Sequence, residues 1–237
     1  MRRDFSRRSD EPELMDGAGV DLDTFRGCLN DLATVNTLTL TRRPTLAWLA
    51  RATRDFKAGD PVSVLDVGYG HGDMLRAIRA WSRKSGFRAD LVGVDVNPWS
   101  ETVAREATPP DMDIDYRIGD VFALDSGRRF DFVVSAQVTH HLSDGQLVAF
   151  LRWMEATAVR GWFVSDLHRH AVPFHAFRLL SRLAGWHPFV RHDGPVSIAR
   201  SFRRADWQRL AGAAGLSPAE IEISWHVPFR LCVGRIK

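Results

Sequence analysis

Residues 64–74 read VLDVGYGHGDM: an apolar run reaches the carboxylate Asp66, and Gly68, Gly70 and Gly72 then lead into Asp73 and a helical pattern. Glycines spaced in this way allow a tight turn and let a ligand approach the backbone closely. The spacing is GxGxG, whereas the turn that cradles a dinucleotide pyrophosphate is GxGxxG. A carboxylate beside the turn repels phosphate and favours a cationic ligand.

Two further acids extend the pattern. Asp95 closes the run LVGVDV (91–96), where a carboxylate can accept bonds from both hydroxyls of a ribose. Asp120, in the segment Gly119-Asp120-Val121-Phe122, is placed to hold an adenine amino group between apolar neighbours. Three acids at the ends of three successive strands line one crevice, the place where open α/β sheets bind ligands. S-adenosylmethionine carries an ammonium and a sulfonium but no phosphate, and it suits these residues better than NAD. Candidate bases follow later in the chain: His140 and His141 after a fourth strand, and His168 in Asp166-Leu167-His168-Arg169-His170 after a fifth. A neutral imidazole can take the proton of a hydroxyl near pH 7. His168 is the preferred base, with Asp166 or a backbone group to orient it. No metal is expected, because acidic ligands are not evident around His168, His170 and His175.

The elements that must hold these residues are read from periodicity. Short apolar runs at 62–67, 91–96, 114–118, 130–135 and 161–167 predict strands buried on both faces. Helical spacing appears in Met74, Leu75, Ile78 and Trp81, in 101–107, and across 144–158. Such alternation predicts a Rossmann-like, doubly wound α/β sheet of seven strands, mostly parallel with an antiparallel edge strand. Residues 1–60 read as a frayed, charged tail over 1–20 followed by a helical cap, and 61–237 as the core. Residues 170–200 break the rhythm. They predict an insertion with one amphipathic helix (174–183) and then a Gly/Pro-rich loop, an acceptor lid whose stripe Phe174, Phe177, Leu180 and Leu183 would wall an apolar pocket.

The run VLDVGYGHGD, GVDVNP, GDVF, FDFVVSAQVTHHL and GWFVSDL resembles the class I S-adenosylmethionine-dependent methyltransferases over roughly residues 60–237. The resemblance implies that Asp66, Gly68, Tyr69 and Gly70 meet the methionine part of the cofactor. Asp95 and Val96 would meet the ribose, Gly119, Asp120 and Val121 the adenine, and Ser135–Gln137 would lie beside the methyl group. Other segments, such as NTLTLTRRPTLAWLAR and RHDGPVSIARSFRRADWQRLAGAAG, resemble bacterial methyltransferases associated with type III polyketide synthases and flavin-dependent oxidoreductases. That narrower likeness implies secondary metabolism and a small lipophilic acceptor, phenolic, polyketide-derived or quinol-like, with O-methylation favoured over C-methylation.

Composition narrows the partners. Residues 1–150 carry a net charge of −4 and residues 151–237 a net of +7, and the second part also holds six of the nine His and five of the eight Trp. Such a basic part suggests nucleic acid, an anionic substrate or a membrane surface. The [DN]PP[FYW] motif of exocyclic-amine methylation is missing after the fourth strand, where SAQVTHH stands instead, so no nucleic-acid partner is expected. Peripheral membrane contact through 173–191 stays open, and the alternatives to a small-molecule enzyme are a cofactor-binding protein without catalysis and a nucleic-acid methyltransferase. No run approaches the roughly 20 apolar residues of a spanning helix. The two cysteines, Cys28 and Cys232, stand far apart without metal-ligand spacing, and a reduced, cytoplasmic protein is expected.

Overall fold

A computed structural model describes residues 4–17, 19–123 and 128–237. The core strands are β1 (Pro61–Val67), β2 (Arg88–Asp95), β3 (Asp115–Ile118), β4 (Phe130–Ala136) and β5 (Ala158–Leu167), followed by β6 (Glu222–His226) and β7 (Arg230–Ile236). Among the described residues they form one sheet in the order β3-β2-β1-β4-β5-β7-β6. β1 to β5 are mutually parallel, while β7 runs antiparallel to both β5 and β6. The antiparallel strand is therefore inserted one place in from the edge.

Successive strand residues point to opposite faces, and here both faces are apolar. Leu65, Val133, Trp162 and Val164 enter one core layer, and Val64, Phe132, Val134 and Phe163 enter the other. Helices cover both layers. α3 (Asp73–Ser85) puts Met74, Leu75 and Ile78 on one side, and α5 (Asp144–Thr157) puts Leu147, Phe150, Leu151 and Met154 on the other. A Ser143/Gln146 capping box starts α5. α4 (Ser100–Glu106) follows β2, and α8 (Arg204–Ala213) packs beside α5. The strand order reverses between β1 and β4, which opens a crevice at their carboxyl ends.

The N-terminal helices are α1 (Leu22–Leu38), capped by Asp21 accepting from the Thr24 amide at 2.7 Å, and α2 (Arg42–Ala52). Two expectations are corrected. The tail does not fray over residues 4–17. Arg8 donates to the carbonyls of Arg200, His140 and Leu142, and the Leu14 and Met15 amides donate to the Asp193 carboxylate at 2.8 and 3.0 Å. Residues 1–3 and 18 of that predicted tail lie outside the described residues. The insertion holds two helices, α6 (Ala171–Leu183) and α7 (Pro188–Arg200), where one helix and a loop were predicted. α7 contains Gly194 and Pro195 and is buried on most sides, by Val190, Asp193, Val196, Ile198 and Ala199 among others. A helix covered nearly all round has no apolar stripe for periodicity to detect. Gly194 is needed for close packing, since a Cβ there would lie 2.0 Å from the Phe177 ring.

Candidate active site

The crevice is a cleft of about 1180 Å³, walled by the carboxyl ends of β1, β2 and β4, by α1, and by parts of α6, α7 and the N-terminal segment. Its two halves differ in chemistry.

In the first half, Asp66 ends β1 at 1% exposure, and its Oδ1 has no hydrogen-bond partner. Burial, with Asp73 and Asp95 adding repulsion, holds its pKa well above the usual carboxylate range. Gly68 has φ +75°, and a Cβ there would sit 2.1 Å from Val138 Cγ2, so no other residue fits without rearrangement. The Gly70 amide donates to Asp95 Oδ2 at 2.9 Å, and the Asn97 amide donates to Asp95 Oδ1 at 2.9 Å. Burial raises the Asp95 pKa against these bonds. Gly119 donates from its amide to the Asp95 carbonyl at 2.8 Å, which carries the chain to Asp120. Asp120 accepts from the Phe122 amide at 3.0 Å, Val121 is buried beneath it, and Val96 is exposed at the mouth.

Tyr69 and Ser135 do not project as the resemblance implied. The Tyr69 ring leaves the cleft for the core, 4.9 Å from the Tyr116 ring and against Gly93, so its backbone is the part close to the turn. The Ser135 hydroxyl donates to the Val67 carbonyl at 3.0 Å and ties β4 to β1 within the sheet. Gln137, at φ +59°, does reach the cleft. Its amide nitrogen donates to Asn36 at 2.9 Å, and its oxygen accepts from Arg230 at 2.6 Å.

The second half gathers the imidazoles. A short 3₁₀ turn, Thr139–His141, follows β4. His140 is buried, and its Nδ1 lies 2.8 Å from Asp166 Oδ1, while its amide donates to Asp166 Oδ2 at 3.0 Å. The Thr139 hydroxyl donates to the same oxygen. Burial would raise the Asp166 pKa, but the charge and bonds of His140, with the bonds from Thr139 and the Leu167 amide, hold it far below the ordinary value. His141 Nδ1 lies 3.0 Å from Asp16 Oδ2. Burial works against protonation of His141, yet the bond to Asp16 and the charges of Glu13 and Asp16 raise its pKa. Glu13 is itself buried, with Oε1 3.6 Å from His140 Nε2.

The expected base, His168, is not among the residues that line the cleft. Its ring stands outside the cleft wall, 5.8 Å from the His170 ring, and its backbone bridges to Phe202 and Phe229. Burial, then the nearby His170, Arg203 and Arg169, lower its pKa. Asp166 meets His140, not His168: its carboxylate is taken up by Thr139 and His140 of the turn after β4. His170 instead caps α6, accepting from the Val172 amide at 3.1 Å.

Of the predicted stripe, Phe177 and Leu180 wall the cleft. Phe174 packs on Ile198 and Phe5, and Leu183 is exposed. One residue went unread in the sequence: Arg230, 2% exposed on β7, donates to Gln137, Thr39 and Thr41 but leaves its Nε unpartnered. Burial lowers its pKa to about 10, offset in part by Asp166 and Cys232. A lone Arg inside the apolar run FRLCV was the available signal.

Comparison with known proteins agrees with this architecture. A family model described as a methyltransferase domain matches residues 40–221. The ubiquinone biosynthesis O-methyltransferase of Brucella ovis is 28% identical over 192 residues, which cover 75% of this chain and 73% of that protein. Among solved structures, magnesium protoporphyrin IX methyltransferase from Synechocystis PCC 6803 with bound SAH superposes with a TM-score of 0.56 at 18% identity, covering 94% of this chain and 91% of that one. The plantazolicin methyltransferase BpumL in complex with SAH gives 0.64 at 13% identity, covering 91% and 96%. These structural likenesses concern the fold, and among the described residues no helix is long and apolar enough to cross a membrane. With the family model spanning most of the chain and the glycine turn and strand-end acids in place, the chain belongs to the class I S-adenosylmethionine-dependent methyltransferases.

Proposed function

We propose that this methyltransferase acts on a hydroxyl oxygen of a small lipophilic acceptor of phenolic, polyketide-derived or quinol type. Asp66 and the backbone of Gly68, Tyr69 and Gly70 would receive the methionine end of S-adenosylmethionine, Asp95 with Val96 the ribose, and Gly119, Asp120 and Val121 the adenine. The residues fit that group. A buried carboxylate oxygen without a donor, as at Asp66, is costly until an ammonium arrives. When bound, S-adenosylmethionine supplies a methyl group on a positively charged sulfur.

The observation that carries the acceptor reading is the His140–Asp166 pair, held beside Gln137 and facing the apolar half of the cleft. A phenol ionises near pH 10, so a base beside it helps at neutral pH. Asp166 keeps the proton of His140 on Nδ1, which leaves Nε2 free to take the acceptor's proton, while Leu32, Val35, Phe177 and Leu180 exclude water around it. Holding acceptor and methyl donor in line contributes further, independently of the base. The name of the Brucella relatives, an O-methyltransferase of quinone synthesis, supports oxygen as the acceptor atom.

The test is mass spectrometry of phenols, resorcinols and quinols incubated with enzyme and S-adenosylmethionine. A single added methyl on one of these is expected. Cofactor binding with no methylated hydroxyl in any of them overturns the reading. Val172, Leu179 and Leu183 are exposed on α6 beside Arg178 and Arg182, which supports peripheral contact with anionic membrane through 173–191. Flotation with anionic vesicles at low salt checks this, and its absence there refutes it.

A further inference from the structure

The geometry points to a site for one divalent transition-metal ion, held by the Glu13 carboxylate, His140 Nε2 and His141 Nε2. One ligand atom from each of these three residues lies within 4.8 Å of the others. They come from two distant parts of the chain, the 3₁₀ turn at Leu14–Asp16 with the residue before it, and the 3₁₀ turn after β4.

Three observations support the site. First, each imidazole already engages a carboxylate through Nδ1, His140 with Asp166 at 2.8 Å and His141 with Asp16 at 3.0 Å. A carboxylate on Nδ1 fixes the tautomer, makes the ring a better ligand, and presents the lone pair of Nε2, which is the usual outer shell of a metal-bound histidine. Second, both Nε2 atoms face the same carboxylate, at 3.6 Å from Glu13 Oε1 and 3.9 Å from Glu13 Oε2. Ligands about 2.0–2.2 Å from a tetrahedral ion stand roughly 3.3 Å apart, so these two pairs are within several tenths of an ångström of bonding separation and the whole cluster must draw in somewhat further. Third, Glu13 is 7% exposed and its Oε1 accepts no hydrogen bond, leaving a buried carboxyl oxygen open to a ligand.

Two histidines and one carboxylate suit Zn²⁺, Co²⁺ or Fe²⁺ better than Mg²⁺ or Ca²⁺, which prefer oxygen ligands alone. Three protein ligands leave at least one position open toward the cleft. The opposing feature is Arg200, whose Nη1 lies 3.7 Å from Glu13 Oε1 and 3.9 Å from Asp16 Oδ2. On metal binding it would stay with Asp16 and with the His141 carbonyl, to which it already donates at 3.4 Å.

The consequence rests on the methyl-transfer reading above. The ion and the acceptor's proton compete for the same Nε2 of His140. With the ion in place, His140 is a ligand, the acceptor oxygen binds at the open position, and its proton is released to water. Binding itself is independent of that reading and is measured alone.

The experiment uses the full chain without an affinity tag, stripped by chelation and then titrated with Co²⁺. Near-stoichiometric uptake by elemental analysis, with the visible absorption of four- or five-coordinate Co²⁺ and loss of that colour on adding Zn²⁺, is expected. Glu13→Gln and His141→Ala should each weaken uptake by more than about 10-fold, and Asp16→Asn by about 10-fold, while S-adenosylmethionine binding persists as the check on folding. His141 is partly exposed, so its truncation is the safer of the first two variants. Negligible Co²⁺ uptake by a protein that binds S-adenosylmethionine overturns the site, as does uptake that Glu13→Gln and His141→Ala leave unchanged. Metal bound without methylated product would count against the acceptor reading instead.

Discussion

In the half of the cleft built on the glycine turn, burial raises the pKa of Asp66 and Asp95 and leaves an Asp66 oxygen without a donor. In the half that gathers the imidazoles, Asp166 is equally buried yet strongly acidic, because His140, Thr139 and the Leu167 amide already satisfy it. The first half leaves a buried carboxyl for a ligand to satisfy, and the second satisfies its carboxylate from within the protein. The difference follows from origin. Asp66, Asp95 and Asp120 end successive strands, whereas the other half joins Glu13, His140, Asp166 and Arg230, which neighbour each other only in the finished fold.

The contrast can be broken experimentally, most forcefully at the imidazole. His140→Ala and Asp166→Asn should each lower kcat by about 10²–10⁴-fold with cofactor affinity unchanged, read by steady-state kinetics beside calorimetry. A loss confined to cofactor binding would erase the distinction between the halves. Asp95→Ala should do the reverse, weakening S-adenosylmethionine binding about 100-fold, since hydrogen bonds to a charged group contribute about 1.5–3 kcal/mol each. Unchanged affinity would mean that the ribose lies elsewhere. Gly68→Ala should cost about 1–3 kcal/mol in a thermal melt, because its φ is left-handed and its Cβ would overlap Val138.

The smallest effect is a pH dependence. With its pKa raised, Asp66 keeps its proton to higher pH in the folded protein than in the unfolded chain, which favours the fold below the raised value and is lost as pH climbs through it. An ammonium needs the carboxylate, so cofactor binding expels that proton. Affinity should rise by up to about 10-fold per pH unit until the raised pKa is passed, then level off. Calorimetry in buffers of different ionisation enthalpy measures the proton released. Asp166 acts in the opposite sense, its contribution to stability present above the ordinary carboxylate pKa of 3.8 and lost as pH falls below it. A cofactor affinity that is flat with pH would show Asp66 to be ionised throughout.

How much of this was legible in the sequence depends on distance along the chain. The strands and the three acids were readable because strand alternation and a Gly-rich turn are local patterns. The imidazole that Asp166 holds was not, since the choice between His140 and His168 turns on which neighbour Asp166 meets across two strand ends. Glu13 was read as part of a loose tail, because nothing in MRRDFSRRSDEPEL announces that Asp193 will hold the following turn. α7 escaped because Gly194 and Pro195 signal a break, while close packing on Phe177 and burial on most sides preserve the helix.

That N-terminal segment also sets an order of events. Leu14 and Asp193 are 179 positions apart, and Arg8 meets the turn after β4 across more than 130. Closing so long a loop costs chain entropy that only late contacts can offset. The β1–β4 core can therefore form around the glycine turn while residues 4–17 are still undocked. Held by a few bonds to α7 and the His140 turn, residues 4–17 form a unit expected to open at low free energy, which hydrogen exchange would record as faster exchange at the Leu14 and Met15 amides than in the β1–β4 core.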